Sequence, residues 1–243
     1  TLFFKPRLLI TAPYGVTSVE KRAVVEAGLG AGGREVNIIP QPLAAALGID
    51  LPINTPTGNM IICLGAGTTQ AAVISMTGIV SAETSRTAGI KLDEAIINYV
   101  RKKYGLIIGQ PTAEQLKLNI GAATPTQEEK TMEIQAQDQV TGLPKPASLT
   151  TNEIVEALQP PLEEIVAAIR RVLEKTPPEL ISDIIDRGVA LCGGTSLLKG
   201  LDKYLTVALG IPAYVVENPV TCTVEGAAKG FSILDVILRN QGR

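Results

Sequence analysis

The hydrophobic pattern of the chain contains two short apolar runs that each end at a glycine-rich loop. The first run, residues 59–64, is followed by a loop and by a second apolar run at 71–75, which predicts a β-hairpin with its tip at 65–69. The other run, residues 188–191, leads through its loop into 197–201, which predicts the start of a helix. Glycine lets a backbone approach a ligand closely, so that backbone N–H groups can point at phosphate oxygens.

Both loops are therefore candidate ligand-binding segments. The candidate residues are Gly65, Ala66, Gly67, Thr68 and Thr69 in the first loop, and Gly193, Gly194 and Thr195 in the second. The threonine hydroxyls would add hydrogen-bond donors, and a helix that begins at the second loop would add the positive end of its dipole. One such loop is usually only a turn, so the pair carries more weight than either loop alone.

The rest of the pattern predicts alternating strands and helices around these loops. Residues 7–48 follow a strand–helix–strand–helix order that is typical of a parallel α/β unit, and Thr17 and Glu20 form a capping box at its first helix. Residues 51–58 read as a linker, and the hairpin then begins a second lobe. Further helices are predicted at 92–104, 112–120, 151–174 and 223–238, with a β-containing segment at 121–150. Pro160 and Pro161 should break or kink the longest of these helices.

Composition narrows the class of protein. The chain has 243 residues, of which 45% are hydrophobic and 19% charged, and its net charge of −2 gives no reason to expect a nucleic-acid partner. Histidine is absent, which removes the commonest general base and metal ligand. Cys63, Cys192 and Cys222 are isolated and odd in number, which argues against a zinc site or a disulfide framework and favours a reducing cytoplasm.

Several ordered blocks of sequence are similar to one known family. They are residues 4–7, 15–23, 41–46, 174–180 and 193–202. On these blocks the chain resembles the MreB family of bacterial actin homologues along essentially its whole length. The resemblance implies the α/β actin-like (ribonuclease H-like) fold, with ATP and Mg²⁺ in a cleft between two lobes. It also implies filament formation and a role in bacterial cell shape.

The resemblance further predicts how the chain divides. Residues 1–58 and 213–243 would form part of a first lobe (IA-like), residues 59–96 and 161–212 a complete second lobe (IIA-like), and residues 97–160 an inserted small subdomain (IIB-like). The family opens with a phosphate loop and a small subdomain that this sequence lacks. We expect a fragment of a longer protein rather than natural loss of half a lobe, because a sheet deprived of strands leaves an exposed edge.

Four departures from the family pattern fall on the phosphate and metal side of the expected site. Cys63 stands in place of an aspartate, and a thiol is a poor ligand for Mg²⁺; alternatively, Cys63 is simply a small buried apolar residue. Ala66 adds a Cβ where the backbone should approach phosphate. Gln41 replaces a glutamate that positions the attacking water, and an amide can orient water but is not a base. Ile90-Lys91 replaces an acidic pair.

These departures set the cofactor and enzyme expectations. Gln41 is the single catalytic candidate, and no residue of this chain is expected to ligate metal. ATP or ADP would bind weakly, and Mg²⁺ would bind only with the N-terminal segment present. The family is an ATPase, and whether this chain hydrolyses ATP stays open.

Glu114 and Lys117 are candidates for the nucleoside side of the site. They lie three residues apart on a predicted helix and so share a face. The pattern alone suggests a solvated surface pair, whereas the resemblance places them near the ribose and adenine. In the same comparison Gly193, Gly194 and Thr195 form the adenine-side wall.

Phe3 and Phe4 form a candidate membrane contact. They precede Lys5 and Arg7, and aromatic side chains beside cations suit a bilayer interface with anionic headgroups. In the family a hydrophobic loop at this position inserts into the membrane. The alternative is the buried start of a strand.

The leading functional expectation is an actin-like filament subunit in the cytoplasm, peripheral to the inner face of the membrane, with a degenerate ATP site. Its expected partners are its own copies and proteins of cell shape or cell-wall synthesis. Two alternatives to this expectation remain. In the first, the full-length protein is an active ATP-hydrolysing member of the family. In the second, the chain is a non-polymerising scaffold or adaptor.

Overall fold

The structure, a computed structural model, describes residues 5–241. Its strands are β1 (Arg7–Ala12), β2 (Glu35–Pro40), β3 (Asn59–Leu64), β4 (Thr69–Ser75), β5 (Gly78–Ser85), β6 (Leu106–Ile107), β7 (Thr131–Asp138), β8 (Pro144–Thr150), β9 (Val189–Cys192) and β10 (Ala213–Val215). Its helices are α1 (Ser18–Gly30), α2 (Gln41–Gly48), α3 (Gly89–Tyr104), α4 (Gln110–Ile120), α5 (Thr151–Glu174), α6 (Pro178–Arg187), α7 (Leu201–Leu209), α8 (Cys222–Gly230) and α9 (Leu234–Gln241). Single 3₁₀ turns follow β9 (Gly194–Leu197) and α8 (Phe231–Ile233).

The strands within these residues form three sheets. β1 and β2 pair in parallel. The central sheet has the order β10-β9-β3-β4-β5, in which β10, β9 and β3 are parallel while β4 and β5 are antiparallel. β6, β7 and β8 form a small antiparallel sheet, which confirms the β-containing segment expected at 121–150.

The central sheet is covered on both faces because successive side chains of β3 point to opposite sides. Met60, Ile62 and Leu64 join one hydrophobic core, which includes side chains of α3 and α5. Ile61 and Cys63 join a second core, which includes side chains of α2 and α8. Every residue of β3 is therefore buried, as expected for a strand between two helical layers.

Helices α2 and α8 pack with almost no space between their backbones. A Cβ on Gly226 would lie 1.7 Å from the carbonyl oxygen of Ala44, and one on Gly48 would lie 1.9 Å from that of Cys222. Glycine is thus required on both helices at this crossing. The contact joins the N-terminal and C-terminal parts of the chain, while the lobe boundaries given above stay a prediction.

The structure confirms two predictions that depend on residues close together in the sequence, the capping box and the β-hairpin. The Glu20 N–H donates to Thr17 Oγ1 at 3.2 Å and the Thr17 N–H donates to the Glu20 carboxylate at 2.7 Å, which confirms the capping box. The hairpin of β3 and β4 is also confirmed, with Leu64 opposite Thr69.

Three predictions about helices were wrong in detail. Of the break or kink expected at Pro160 and Pro161, the break is absent: α5 continues through both prolines, because its buried apolar stripe outweighs the missing hydrogen bonds. The second glycine loop enters a 3₁₀ turn, and the α-helix begins only at Leu201, after Gly200 with a φ of +73°. The final helix is divided in two by the 3₁₀ turn at Phe231–Ile233.

Candidate functional site

The candidate site lies where the parallel strands β1, β2, β3 and β9 end. The turn at Tyr14 follows β1, Gln41 follows β2, and the two glycine loops follow β3 and β9. The side chain of Gln70 links the first two of these ends, because it contacts both Tyr14 and Gln41. Ligands of α/β proteins bind at the carboxyl ends of parallel strands, so a ligand is expected at this edge of the sheets.

The first glycine loop is a tight turn with an exposed tip. The Gly65 N–H donates to the Thr68 carbonyl at 2.9 Å, which leaves Ala66 and Gly67 exposed between them. Within residues 5–241 the N–H groups of Ala66, Gly67 and Thr68 donate no hydrogen bond. The Thr69 hydroxyl, by contrast, is buried and donates to the Thr87 carbonyl at 2.8 Å, so it stabilises the fold rather than facing a ligand.

The first turn of α3 determines the direction of the free N–H groups. The N–H of Gly89 donates to the Gly65 carbonyl at 3.2 Å, and that of Ile90 donates to the Ala66 carbonyl at 2.8 Å. A trans peptide directs its C=O and N–H to opposite sides. Because the Gly65 and Ala66 carbonyls point at α3, the N–H groups of Ala66 and Gly67 point away from it, toward the exposed side of the loop.

The second glycine loop is fitted against the first. Gly193 has a φ of +89°, and a Cβ there would lie 2.2 Å from the Leu64 carbonyl oxygen. Thr195 Oγ1 donates to the Gly65 carbonyl at 2.8 Å, which joins the two loops directly. A Cβ on Gly194 would meet nothing within 4 Å, so this residue faces open space. The structure therefore brings together the two loops that the sequence singled out.

Lys117 is buried in an ion pair rather than solvated. Its Nζ lies 2.7 Å from Asp93 Oδ1 and donates to the Gly89 carbonyl at 3.1 Å, with side chains 11% and 4% exposed for Lys117 and Asp93. The interpretation of Glu114 and Lys117 as a solvated surface pair is therefore wrong for Lys117, while Glu114 is exposed. The pair fixes α4 to the first turn of α3, directly behind the glycine loops.

Asp93 is a functional candidate that the sequence reasoning missed. It is a carboxylate on the buried face of α3, next to Leu92, and this break in an apolar stripe is the signal that could have revealed it. Burial raises the pKa of the Asp93 carboxyl, and the Lys117 ammonium opposes that shift.

Cys63 lies inside the protein at the end of β3. It is 2% exposed, and its Sγ lies 3.2 Å from Sγ of Cys192, its register partner on β9. Cys222 is buried in the same core. Two causes raise the pKa of the Cys222 thiol above its usual range. The larger is its hydrogen bond with Cys192, and the second is its burial. Among residues 5–241, no three or more metal-ligating side chains are arranged to hold a metal ion.

Gln41 is held by a buried neighbour. Gln70 Nε2 donates to Gln41 Oε1 at 2.5 Å, and Gln70 Oε1 accepts from the Tyr14 N–H at 2.9 Å. Thr84 Oγ1 donates to the Tyr14 carbonyl at 2.8 Å, so both polar groups of the Tyr14 backbone are bonded to the central sheet. These bonds connect the turn after β1 to β4 and β5.

The membrane candidates Phe3 and Phe4 lie outside the described residues. Arg7, which was expected to assist them, is in β1 and pairs with Glu35, with Nε and Oε2 2.9 Å apart. In the described part of the chain, no helix has both the length and the apolar character needed to span a bilayer.

Comparisons with known proteins agree on one family. The MreB/Mbl protein family model matches residues 1–238. The cell shape-determining protein MreB of Escherichia coli (strain K12) is 47% identical over 231 residues, which cover 95% of this chain and 67% of that protein. The cell shape-determining protein Mbl of Bacillus subtilis (strain 168) is 44% identical over 225 residues, which cover 93% and 68%.

Solved structures give the same answer for the fold. MreB5 of Spiroplasma citri bound to ADP superimposes with a TM-score of 0.92 at 33% identity, covering 98% of this chain and 73% of that one. MreB5 bound to AMPPNP gives 0.90 at 34%, covering 96% and 70%. A MamK double helical filament, at 20% identity and a TM-score of 0.76, shares the fold. The chain spans about two thirds of the length of the curated relatives it matches.

Proposed function

The chain belongs to the MreB/Mbl family of actin-like proteins, and from this we propose that it is a nucleotide-binding filament subunit that takes part in determining bacterial cell shape. The observation that carries the nucleotide part is the joining of two glycine loops at the strand ends, with the N–H groups of Ala66 and Gly67 directed outward. That arrangement suits the oxygens of a di- or triphosphate.

The nucleotide is an adenine nucleotide in this proposal. The solved structures of MreB5, at 33% and 34% identity, are bound to ADP and AMPPNP. The phosphates would contact the first loop, while Gly194 and Thr195 would border the base. Lys117 would support the nucleoside side indirectly in this proposal, because its ammonium is already paired with Asp93.

We propose that the end of β3 does not suit Mg²⁺. Cys63 lies two residues before Gly65 of the first loop, and its buried thiol packs on the thiol of Cys192. Mg²⁺ prefers hard oxygen ligands and keeps several waters, for which this thiol pair leaves no place. We therefore propose that this chain binds nucleotide weakly, nearly independently of Mg²⁺, and hydrolyses ATP no faster than background.

Calorimetry with adenosine, ADP and AMPPNP, each with and without Mg²⁺, tests the proposal. We expect weak binding of both phosphorylated ligands, no heat with adenosine, and little effect of Mg²⁺. Tight binding that requires Mg²⁺ would instead indicate an active ATPase site. Absence of binding for all three would remove the nucleotide proposal.

Self-association is the second part of the proposal. We propose that copies of the chain assemble into filaments at the inner face of the cytoplasmic membrane, together with proteins of cell shape or cell-wall synthesis. Sedimentation at rising protein concentration separates this from a non-polymerising scaffold: a filament subunit pellets above a threshold concentration, and a scaffold stays in the supernatant.

A further inference from the structure

The hydrogen bonds around Gln70 determine which end of the Gln41 amide is free. The backbone N–H of Tyr14 can only donate, so the Gln70 atom 2.9 Å from it must be the carbonyl oxygen. The other atom of that amide is then the NH₂ group, which can only donate. Its partner on Gln41, 2.5 Å away, must therefore be Oε1. Gln70 is 1% exposed, so it has no solvent to replace either bond if it turned.

As a consequence, the NH₂ group of Gln41 is, among the described residues, an unpaired hydrogen-bond donor at the edge of the candidate site. Gln41 is partly exposed at the start of α2, directly after the end of β2, and its Nε2 donates no hydrogen bond within residues 5–241. Gln70 is two residues beyond Thr68 of the first glycine loop. The Gln41 side chain therefore lies beside the start of β4, the strand that leaves the first loop, and its unbonded group is an NH₂ rather than a carbonyl oxygen.

We propose that Gln70 is a positioning residue that holds the NH₂ group of Gln41 toward the terminal phosphate of a bound nucleoside triphosphate. This inference rests on the proposed function. The NH₂ group donates to a phosphate oxygen, so the chain distinguishes a triphosphate from a diphosphate. The same orientation offers no acceptor to the O–H of an attacking water, so Gln41 does not position that water for hydrolysis.

Replacement of Gln70 by Glu reverses the amide. A carboxylate only accepts hydrogen bonds, so Glu at this position still accepts from Tyr14 N–H but must face the NH₂ group of Gln41. The unbonded group of Gln41 is then its Oε1. The comparison is made at pH 8, which exceeds the usual pKa of a Glu carboxyl, about 4.3, by more than about 3 units and so favours the ionised form despite burial. Thr84→Val is the matched control, because it removes the other bond to Tyr14 and leaves the Gln70–Gln41 bond in place.

Side-chain amide NMR tests the orientation without any ligand. In the parent, the Gln70 NH₂ protons should exchange slowly with water and the Gln41 NH₂ protons rapidly. In Gln70→Glu the Gln41 NH₂ protons should become protected, and in Thr84→Val the parent pattern should remain. Protected Gln41 NH₂ protons in the parent would overturn the inference.

Calorimetry with AMPPNP and ADP then tests the role of the donor. We expect the parent to bind AMPPNP more tightly than ADP, and Gln70→Glu to reduce that ratio about tenfold, the value of one hydrogen bond to a charged group. The ratio should not change in Thr84→Val. If the parent binds both ligands and Gln70→Glu leaves the ratio unchanged, the inference fails while the proposed function stands. If the parent binds neither ligand, the proposed function fails and the phosphate role fails with it.

Discussion

The Sγ atoms of Cys63 and Cys192 lie 3.2 Å apart, between residues that are register partners on β3 and β9. A glycine loop begins within two residues of each cysteine, so the contact between the two thiols lies in the core beneath both loops. The Cys63 side chain is only 2% exposed and belongs to the core shared with α2 and α8. A substitution at this position therefore acts first on the interior of the protein.

The first prediction is that Cys63→Asp destabilises the protein. The carboxylate would be buried against a thiol with no cation beside it, which costs about 3–5 kcal/mol of the free energy of unfolding. Cys63→Ala, the control, removes only a sulfur atom and should cost about 1 kcal/mol. Urea unfolding measures both. If Cys63→Asp is as stable as Cys63→Ala and gains Mg²⁺-dependent nucleotide binding, the position is open to the cleft and the core assignment is wrong.

The second prediction concerns two adjacent glycines. Gly193→Ala should lower the free energy of unfolding by about 2–4 kcal/mol, because alanine is strained at a φ of +89° and its Cβ meets the Leu64 carbonyl. Gly194→Ala should change it by less than about 0.5 kcal/mol, since a Cβ there meets nothing. Urea unfolding checks the pair, and equal effects of the two substitutions would contradict the loop geometry.

The third prediction concerns the buried ion pair. Lys117→Met leaves Asp93 buried without its cation and should cost about 3–5 kcal/mol of the free energy of unfolding. The control is Lys91→Met, which breaks an exposed pair with Glu94 on the surface of α3 and should cost at most about 1 kcal/mol. Thermal or urea unfolding distinguishes them. A small effect of Lys117→Met would show that the ammonium is solvated.

The fourth prediction is a pH dependence assigned to Asp93. Burial raises the pKa of this carboxyl in the folded protein, so the native state binds more protons than the unfolded state just above the usual range for Asp, about pH 3.9. Stability from this group therefore falls as pH rises through that window. The Asp93→Asn variant should lack this decline, which appears as a difference between the two unfolding curves measured across pH. Parallel pH dependences would refute the shift.

How much could be predicted from the sequence depends on the distance over which each interaction acts. The Thr17 cap and the β3–β4 hairpin are formed by residues close in sequence, so pattern and residue type were sufficient. The two loops were identified because in each of them glycines end a short apolar run, which indicates a turn whose backbone can approach a ligand closely. Residue types in these short segments therefore indicated an α/β protein and a candidate site at the two loops, whereas the actin-like fold was expected from the resemblance to the family.

The polar side chains behind the site could not be predicted in the same way. Lys117 and Asp93 are 24 residues apart and lie on different helices, and Gln41 and Gln70 are 29 apart on a helix and a strand. Their partners depend on how α3, α4, β2 and β4 pack, which no local pattern encodes. The same reason explains α5, where tertiary burial overrode the two prolines.

The last prediction concerns lipid binding by the N-terminal residues. Phe3 and Phe4 would contribute about 1.5–3 kcal/mol each if fully buried in a bilayer, and Lys5 would add about 1 kcal/mol near anionic lipid. Arg7 adds less than the sequence suggested, because it is already paired with Glu35. One subunit therefore binds marginally, and a filament multiplies the effect because each added subunit is held at high effective concentration.

Co-sedimentation with anionic liposomes measures this affinity. We expect it to rise steeply with polymerisation, to fall with added salt, and to drop sharply for the double variant Phe3→Ala/Phe4→Ala. Phe231→Ala is the matched control, since that phenylalanine is 40% exposed in the 3₁₀ turn between α8 and α9 and its loss should leave binding unchanged. If the double variant pellets as well as the parent does, or if Phe231→Ala reduces pelleting equally, the N-terminal aromatics do not contact the membrane.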